Sequence, residues 1–584
     1  MTEYFEVLER DGAASRAELR LADPVSTPAL AGDVIEDAGS LWPADRDLLE
    51  GSEDRLTVLP HRAFPAGTDE RVQESFAVEY PDVDYPNAAV VTAETAADFG
   101  ADCYVLSGAP GLVGHASAFV EAAIGVREAI PDDAALYAPG VATPRNVATL
   151  VYAGVDLVDA DRAAIRGPQG RYLTTDGAYD LGDLDELPCA CGACAGGIGD
   201  FDREDCVAHN ENALGAALRV VRRRIRDGRL RDYLEGQARH DQWLTATMRE
   251  LDQQWGYVEE RAPIARRAEM SATSEDTMRR VEIRRFADRV TSRYRPRFDA
   301  PLVLVPCSAR KPYSESKSHG RFHDAIQWRG HVVSMTSPIG VVPQELECTY
   351  PAQHYDSVVT GRWSAEEVAF VSAILERYLD RSDYDRIVAH VPAEGYQEIV
   401  ERATGERDVP VRFTVADHPT DGDSLAALAD ALEGEKQYRK REREHNTVRA
   451  IADYQFGEGA GAELFPDLET EARYPKLRAT NGEGTQLAAM VPAVGLLALS
   501  VAGARRWVES DVTTRRVEID DFVPHGSVLA PGIVGASDDI RVGDEVVVEG
   551  PSAFAVGRAE MPGSAMEEST RGVAVDVRHV EERS

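Results

Sequence analysis

The chain has 584 residues, 43% of them hydrophobic, and 101 carboxylates against 63 basic side chains leave a net charge of -38. At ~150 residues per domain, this length excludes a single fold and points to about four domains. No apolar run approaches the ~20 residues of a membrane span, and Met1-Thr2-Glu3-Tyr4 lacks a basic region leading into an apolar one. A cytoplasmic protein with no membrane partner is expected.

Only five of the basic residues are lysines. Excess surface carboxylate with few lysines and abundant alanine, valine and glycine reads as adaptation to high salt, where dense screening weakens self-repulsion. A halophilic archaeon is the expected source. Seven cysteines, three of them within six positions, argue for metal or thiol chemistry rather than a disulfide framework.

Up to about Trp255, short apolar runs such as 88–91 and 103–106 alternate with alanine-rich helical stretches such as 116–129. This βα rhythm predicts a first domain over 1–256. Within it, Cys189, Cys191 and Cys194 in Cys-x-Cys-x-x-Cys spacing, with His209 fifteen positions beyond, supply four ligands suited to tetrahedral Zn2+. Four protein ligands leave no open position, so the ion is read as structural. Cys206 is the rival for the fourth place, and otherwise joins Cys103 and Cys348 as a packed core thiol. Arg222, Arg223, Arg224 and Arg226 reverse the sign of the charge locally; alone they read as a solvated helix face paired with acidic neighbours, and they are otherwise candidate contacts for the phosphates of an RNA.

An arginine- and glutamate-rich stretch, 257–297, reads as linking helices. A second βα series over 298–432 follows, with candidate strands at 302–305, 331–335, 386–391 and 409–415 and a mainly parallel sheet. The run 302–305 ends at Pro306-Cys307, placing a thiol at the carboxyl end of a strand, the edge where open α/β sheets bind ligands. Lys311 lies four residues on, and Tyr313, Ser316 and His319 add hydroxyl and imidazole groups. A nearby ammonium favours thiolate over thiol. These five residues are the candidate catalytic set. A connecting piece spans 433–512, continuously apolar over 487–501, and 513–584 has the short strands and turn glycines of a small β-barrel.

Gly154-Val155-Asp156-Leu157-Val158-Asp159, Arg171-Tyr172-Leu173-Thr174 and 184–194, continuing through His209-Asn210 and Ile225-Arg226-Asp227-Gly228-Arg229-Leu230, resemble the archaeal tRNA-guanine transglycosylases. The resemblance implies a modified (β/α)8 TIM-like barrel, with the Cys-Cys-Cys-His set on structural zinc. It places the family's aspartate nucleophile at Asp159. The family's second aspartate, in an Asp-Ser-Gly-Gly/Ala-Phe segment, is missing: Leu106-Ser107-Gly108-Ala109-Pro110 has leucine there. Glycosidic exchange needs one carboxylate for attack and another for proton transfer, so the barrel is expected to be degenerate. Asp159 then becomes a relic nucleophile or a base-recognition residue. Residues 516–523, 526–533, 543–548 and 555–559 resemble a PUA domain, an RNA-binding β-barrel.

Pro306-Cys307-x3-Lys311-Pro312-Tyr313-x2-Ser316-x2-His319, with Ser337-Pro338-Ile339-Gly340-Val341-Val342-Pro343 and Tyr350-Pro351-Ala352-Gln353-His354-Tyr355-Asp356, resembles the archaeosine synthase family. The implied architecture is α/β and multidomain: degenerate barrel, core α/β domain, small connecting α+β domain and C-terminal PUA β-barrel. The implied substrate is tRNA carrying 7-cyano-7-deazaguanine in its D-arm. The implied reaction adds an amine to the nitrile, with free lysine as donor and glutamine or ammonia as alternatives. A radical SAM partner protein is expected to complete archaeosine, because no iron-sulfur cysteine triad is present in the sequence. A working transglycosylase and a noncatalytic tRNA-binding protein are the competing readings, and a homodimer stays open.

Overall fold

The computed structural model describes residues 4–37, 50–62, 68–76, 83–357 and 362–583. They form two compact units, one built on Met1–Pro263 and the other on Ile264–Ser527, with the C-terminal segments shared between them. No helix among the described residues is long and apolar enough to cross a membrane.

In the first unit, a three-stranded antiparallel sheet, β1 (Phe5–Asp11), β2 (Ala14–Leu19) and β3 (Val25–Thr27), precedes a set of parallel strands. These are β4 (Ala29–Leu30), β5 (Ile35–Asp37), β6 (Leu56–Val58), β7 (Asn87–Val91), β8 (Cys103–Leu106), β9 (Ala135–Ala138) and β10 (Leu157–Val158). Their pairing order is β4-β10-β9-β8-β7-β6-β5. β4 and β5 stand at opposite ends of that order, yet only Ala31, Gly32, Asp33 and Val34 separate them. In a flat sheet six gaps of about 4.8 Å would hold these edges roughly 29 Å apart. Five Cα steps reach at most roughly 18 Å. The sheet must therefore curl, with the first half of segment 29–37 paired to β10 and the second half to β6. The result is a ring of six staves among the described residues, a degenerate form of the expected barrel. β8 is buried along its whole length, as in sheets covered on both faces. Outside it, the helix Ala116–Ala129 turns Phe119, Val120, Ala123 and Ile124 inward at helical spacing.

After β10 come the short helix Asp161–Arg166 and a hairpin, β11 (Arg171–Leu173) with β12 (Ala178–Asp180). The 24-residue helix Arg203–Arg226 follows, started by a capping box between Asp202 and Asp205.

The second unit is organised by a five-stranded sheet. The stretch 257–297, expected as linking helices, contributes β13 (Met270–Ala272) and the helix Val281–Ser292, whose Ile283, Phe286, Ala287 and Val290 enter this unit's core. The sheet itself contains β14 (Leu302–Pro306), β15 (His331–Thr336) and β16 (Gly340–Pro343); β17 (Tyr355–Ser357) pairs with β13, and β18 (Ile387–Ala389) and β19 (Val411–Phe413) complete the sheet. Its order is β16-β15-β14-β18-β19, parallel except for the edge strand β16. The chain steps from β14 to β15 on one side and later returns to β18 on the other. Such a reversal, at the carboxyl end of β14, is the edge where open α/β sheets bind ligands. Downstream, the helix Lys440–Phe456 packs on a four-stranded antiparallel sheet over 469–499, and the C-terminal strands Arg516–Ile519, Glu545–Glu549, Ala553–Ala559 and Val573–Glu582 pair side by side.

Candidate active site and metal centre

Cys307 is the first residue beyond β14 and sits at this topological switch point. Its backbone N–H donates to the Met335 carbonyl at 3.2 Å, which fixes the turn. The thiol is half-buried, with its Sγ 3.6 Å from the Tyr396 hydroxyl. Tyr396 comes from the irregular turn Ala393–Gln397 beyond β18, the neighbouring strand. Gly395 holds that turn open with φ 73°, and a Cβ there would come within 2.5 Å of Trp363 Cδ1. Only glycine meets both demands. The Trp363 ring packs edge-on against Tyr396, centroids 4.8 Å apart.

Lys311 is half-buried with its Nζ 3.7 Å from the centre of the Tyr355 ring, a cation-π contact. Burial lowers its pKa, and the charges of Cys307, Asp356 and Glu269 oppose that shift. The thiol and the ammonium are thus in each other's field. Tyr355 lies beneath them, its hydroxyl 2.6 Å from the Tyr313 hydroxyl and 2.7 Å from Thr336 Oγ1.

The other sequence candidates turn inward. Ser316 caps the helix Lys317–Ile326, its Oγ accepting the His319 N–H at 3.2 Å. His319 is only 2% exposed, stacks on Tyr313 and donates from Nε2 to the Pro306 carbonyl at 3.0 Å. Burial, reinforced by His323, holds its pKa to about 4. It is a neutral imidazole committed to the strand end that carries Cys307. Tyr313 is likewise buried. The cluster therefore divides into two half-buried groups, Cys307 and Lys311, and three buried ones, Tyr313, Ser316 and His319.

The Cys-Cys-Cys-His set converges. Ligand atoms of Cys189, Cys191, Cys194 and His209 all lie within 4.8 Å of one another. Cys191 Sγ is 3.6 Å from Cys194 Sγ, and His209 Nδ1 is 3.7 Å and 3.3 Å from these sulfurs. With bonds of about 2.3 Å to sulfur and 2.0 Å to nitrogen, a tetrahedral centre has ligand–ligand edges of roughly 3.5–3.8 Å. The donor set fits a metal ion. His209 Nε2 donates to the Leu173 carbonyl at 2.9 Å, which leaves the Nδ1 lone pair facing the thiols. Burial lowers the His209 pKa and favours that neutral form. Asn210 completes the joint by accepting the Leu173 N–H and donating to the Arg171 and Ala163 carbonyls. Cys206, the rival ligand, points its thiol at the Arg171 carbonyl instead.

Residues 84–242 match the family described as queuine tRNA-ribosyltransferase, and 283–432 match a domain of unknown function. Residues 446–513 match the patch-forming domain C2 of tRNA-guanine transglycosylase, and 516–580 the PUA domain. An archaeosine synthase of Haloferax volcanii is 62% identical over 100% of both chains. The chain belongs to the archaeosine synthase family. An archaeosine synthase subunit alpha of Methanosarcina acetivorans is 41% identical over 99% of this chain and 100% of its own. A tRNA-guanine(15) transglycosylase of Methanothermobacter thermautotrophicus is 28% identical over 79% of this chain and 68% of its own.

For a member of the archaeosine synthase family, the barrel holds an informative pair of residues. Asp159 lies just beyond β10 with both carboxylate oxygens occupied: Oδ2 accepts from the Tyr137 hydroxyl at 2.9 Å and the Gly140 N–H at 2.6 Å, and Oδ1 from the Asp161 N–H at 3.0 Å. Leu106, where the transglycosylase pattern has its second aspartate, ends β8 and is 1% exposed.

The four arginines singled out in the sequence differ in what they offer. Arg222 is tied to the Pro28 carbonyl, so its guanidinium serves the barrel. Arg223 pairs with Asp227, and Arg224 lies over the Tyr233 ring. Arg226 is exposed, 3.9 Å from Asp227. Sequence reasoning missed Tyr396 and Trp363 altogether; its signal, a glycine directly before a tyrosine after a predicted strand, was too common to single out.

Proposed function

We propose that this chain is an archaeosine synthase acting on 7-cyano-7-deazaguanine in the D-arm of tRNA, joining an amine to the nitrile to give an amidine. Family membership supports the pathway, and one observation carries the chemistry: a half-buried thiol at the switch point of a parallel sheet, with an ammonium in its field and a tyrosine hydroxyl 3.6 Å away. The Cys307 thiolate attacks the nitrile carbon. As the C–S bond forms, a π pair moves onto nitrogen, which takes a proton and leaves a thioimidate. The deprotonated amine adds to the same carbon, and the thiolate departs with the C–S pair. The sum is an N–H added across C≡N, with no oxidant or reductant.

Lys311 stabilises the thiolate. Tyr396 is the neutral proton donor beside the nitrile nitrogen, since burial and the neighbouring thiol raise its pKa. His319, with Tyr313 and Ser316, positions the strand end rather than moving protons. Glu269 and Asp356, exposed beside Lys311, favour a cationic donor such as free lysine, with glutamine-derived or free ammonia the alternative. The subunit alpha names carried by relatives from Methanosarcina acetivorans and Thermoplasma acidophilum support a partner subunit, read as the radical SAM protein that cleaves a lysine adduct. Cys189, Cys191, Cys194 and His209 would hold a structural Zn2+, and the barrel and PUA domain would grip the tRNA.

Mass spectrometry of nitrile-bearing tRNA incubated with the protein and lysine tests the reading. A gain equal to one lysine is expected; no change with lysine, glutamine or ammonia overturns it.

A further inference from the structure

The loops after β8 and β9, the helix after β10, the β11–β12 hairpin and the start of the helix Gln242–Gln253 enclose a cavity of about 390 Å³ at the carboxyl mouth of the barrel. Four guanidinium groups line it, from Arg145, Arg162, Arg166 and Arg171, against one carboxylate, Asp241. That carboxylate is already held by Arg145 at 2.9 Å. Arg171 lies 3.8 Å from Asp180 and donates to the Ala178 carbonyl at 3.5 Å. Arg162 and Arg166 have no carboxylate within ion-pair distance among the described residues; Arg166 reaches only the Gln169 amide oxygen at 3.1 Å.

This is anomalous for the chain. Carboxylates outnumber basic groups 101 to 63, and three deeply buried arginine side chains of this unit each meet one: Arg10 meets Asp132, Arg127 meets Asp156 and Arg231 meets Asp252. Arg162 and Arg166 stand one turn apart on the same helix, where like charges repel. Arg162 is half-buried, so its charge is also partly desolvated. Repulsion and desolvation left uncompensated in a protein rich in spare carboxylate call for an external anion. The cavity exceeds a single phosphate and suits a phosphate ester with its sugar. Planar guanidinium forks match phosphate oxygens in pairs.

We infer that this cavity is a phosphate-ester site, gripping a backbone phosphate of the tRNA through Arg162, Arg166 and Arg171. The inference rests on the tRNA reading above and goes beyond it, because it moves the phosphate contact from the Arg222–Arg226 helix face to the barrel mouth. The same chemistry would accept a phosphate free in solution, and the test separates the two sources.

Binding of nitrile-bearing tRNA is measured across a salt series for the full chain, for the double variant Arg162→Gln/Arg166→Gln and for Arg166→Lys. Thermal melts with and without inorganic phosphate accompany it. The expected result is an affinity about tenfold lower for the double variant, with a salt slope shallower by roughly one for each phosphate that the variant no longer grips. Arg166→Lys should recover the slope, and the melt without phosphate should stay in place. Tight wild-type binding with affinity and slope unchanged in the double variant overturns the RNA site. If phosphate then raises the wild-type melt and not the variant's, the cavity is a site for free phosphate; if it raises neither, the inference fails altogether. Should the wild type itself bind no tRNA, the tRNA reading fails, and the phosphate melt alone judges the cavity.

Discussion

Cys307 and Tyr396 lie 89 residues apart in the chain and 3.6 Å apart in space, sulfur to hydroxyl oxygen, because β14 and β18 run side by side in parallel and end on the same edge of the sheet. If the hydroxyl supplies the proton taken by the nitrile nitrogen, Tyr396→Phe slows amidine formation about 10²-fold while tRNA affinity stays unchanged. Cys307→Ala removes the nucleophile and lowers single-turnover rates by at least about 10³-fold. Quenched-flow sampling with mass spectrometry reads both. Full turnover by Cys307→Ala would rule out the covalent route.

The cluster of Cys189, Cys191, Cys194 and His209, whose donors fit a metal ion, adjoins the joint between the hairpin β11–β12 and the helix Arg203–Arg226, where His209 and Asn210 hydrogen-bond the Leu173 backbone. One zinc ion per chain is expected by elemental analysis, and none in a Cys191→Ser/Cys194→Ser variant. Loss of the ion frees the cysteine loop 189–194 from His209 on that helix, so the first melting step drops by roughly 5–10 °C, equivalent to about 2–3 kcal/mol for a unit of this size. Leu173 accepts the Nε2–H through its backbone, so substitution of its side chain cannot mimic that loss. His209→Ala should.

Much of this was legible in the sequence. Strands buried on both faces are written as unbroken apolar runs, so Leu302-Val303-Leu304-Val305 announced β14 almost to the residue. The tight cysteine spacing, with His209 fifteen positions on, singled out the four residues whose ligand atoms converge. The apolar run 487–501 did not disclose its own division: it is two strands, Gln486–Val491 and Leu496–Leu499, parted by a turn at Gly495, whose Cα abuts the Cys348 carbonyl so closely that a Cβ would overlap it. The burial of His319 could not be read from the sequence, because spacing does not reveal which face of a helix meets the core. Tyr396 stayed hidden because its role exists only once two distant strands are paired.

The barrel's base-exchange chemistry should be absent. Incubating the protein with tRNA and labelled guanine is expected to give no incorporation, since Leu106 stands where the transglycosylase pattern has its second aspartate. Asp159→Asn turns an amide N–H₂ or a weaker acceptor toward the donors from Tyr137, Gly140 and Asp161. A cost of about 1–3 kcal/mol in stability follows, with amidine formation per folded molecule unchanged. Measured base exchange in the wild type, lost in Asp159→Asn, would instead make Asp159 a working nucleophile.

The buried His319 predicts a pH dependence. His319 has a folded-state pKa of about 4, against about 6.5 for an unfolded imidazole. The unfolded chain therefore binds more protons between these values, and stability rises with pH across that window. The His319 contribution is fully present above pH ~6.5 and is lost as pH falls toward ~4, by up to roughly 3 kcal/mol. Many surface carboxylates titrate in the same range, so the comparison must be with His319→Gln, whose amide can still donate to the Pro306 carbonyl without gaining charge. Denaturant midpoints of the two proteins should converge from pH 7 to pH 4, the wild type losing stability faster. A constant gap across that range would mean that His319 stays neutral in both states or protonates freely in the fold, and it would not be the dry support described for the strand end that carries Cys307.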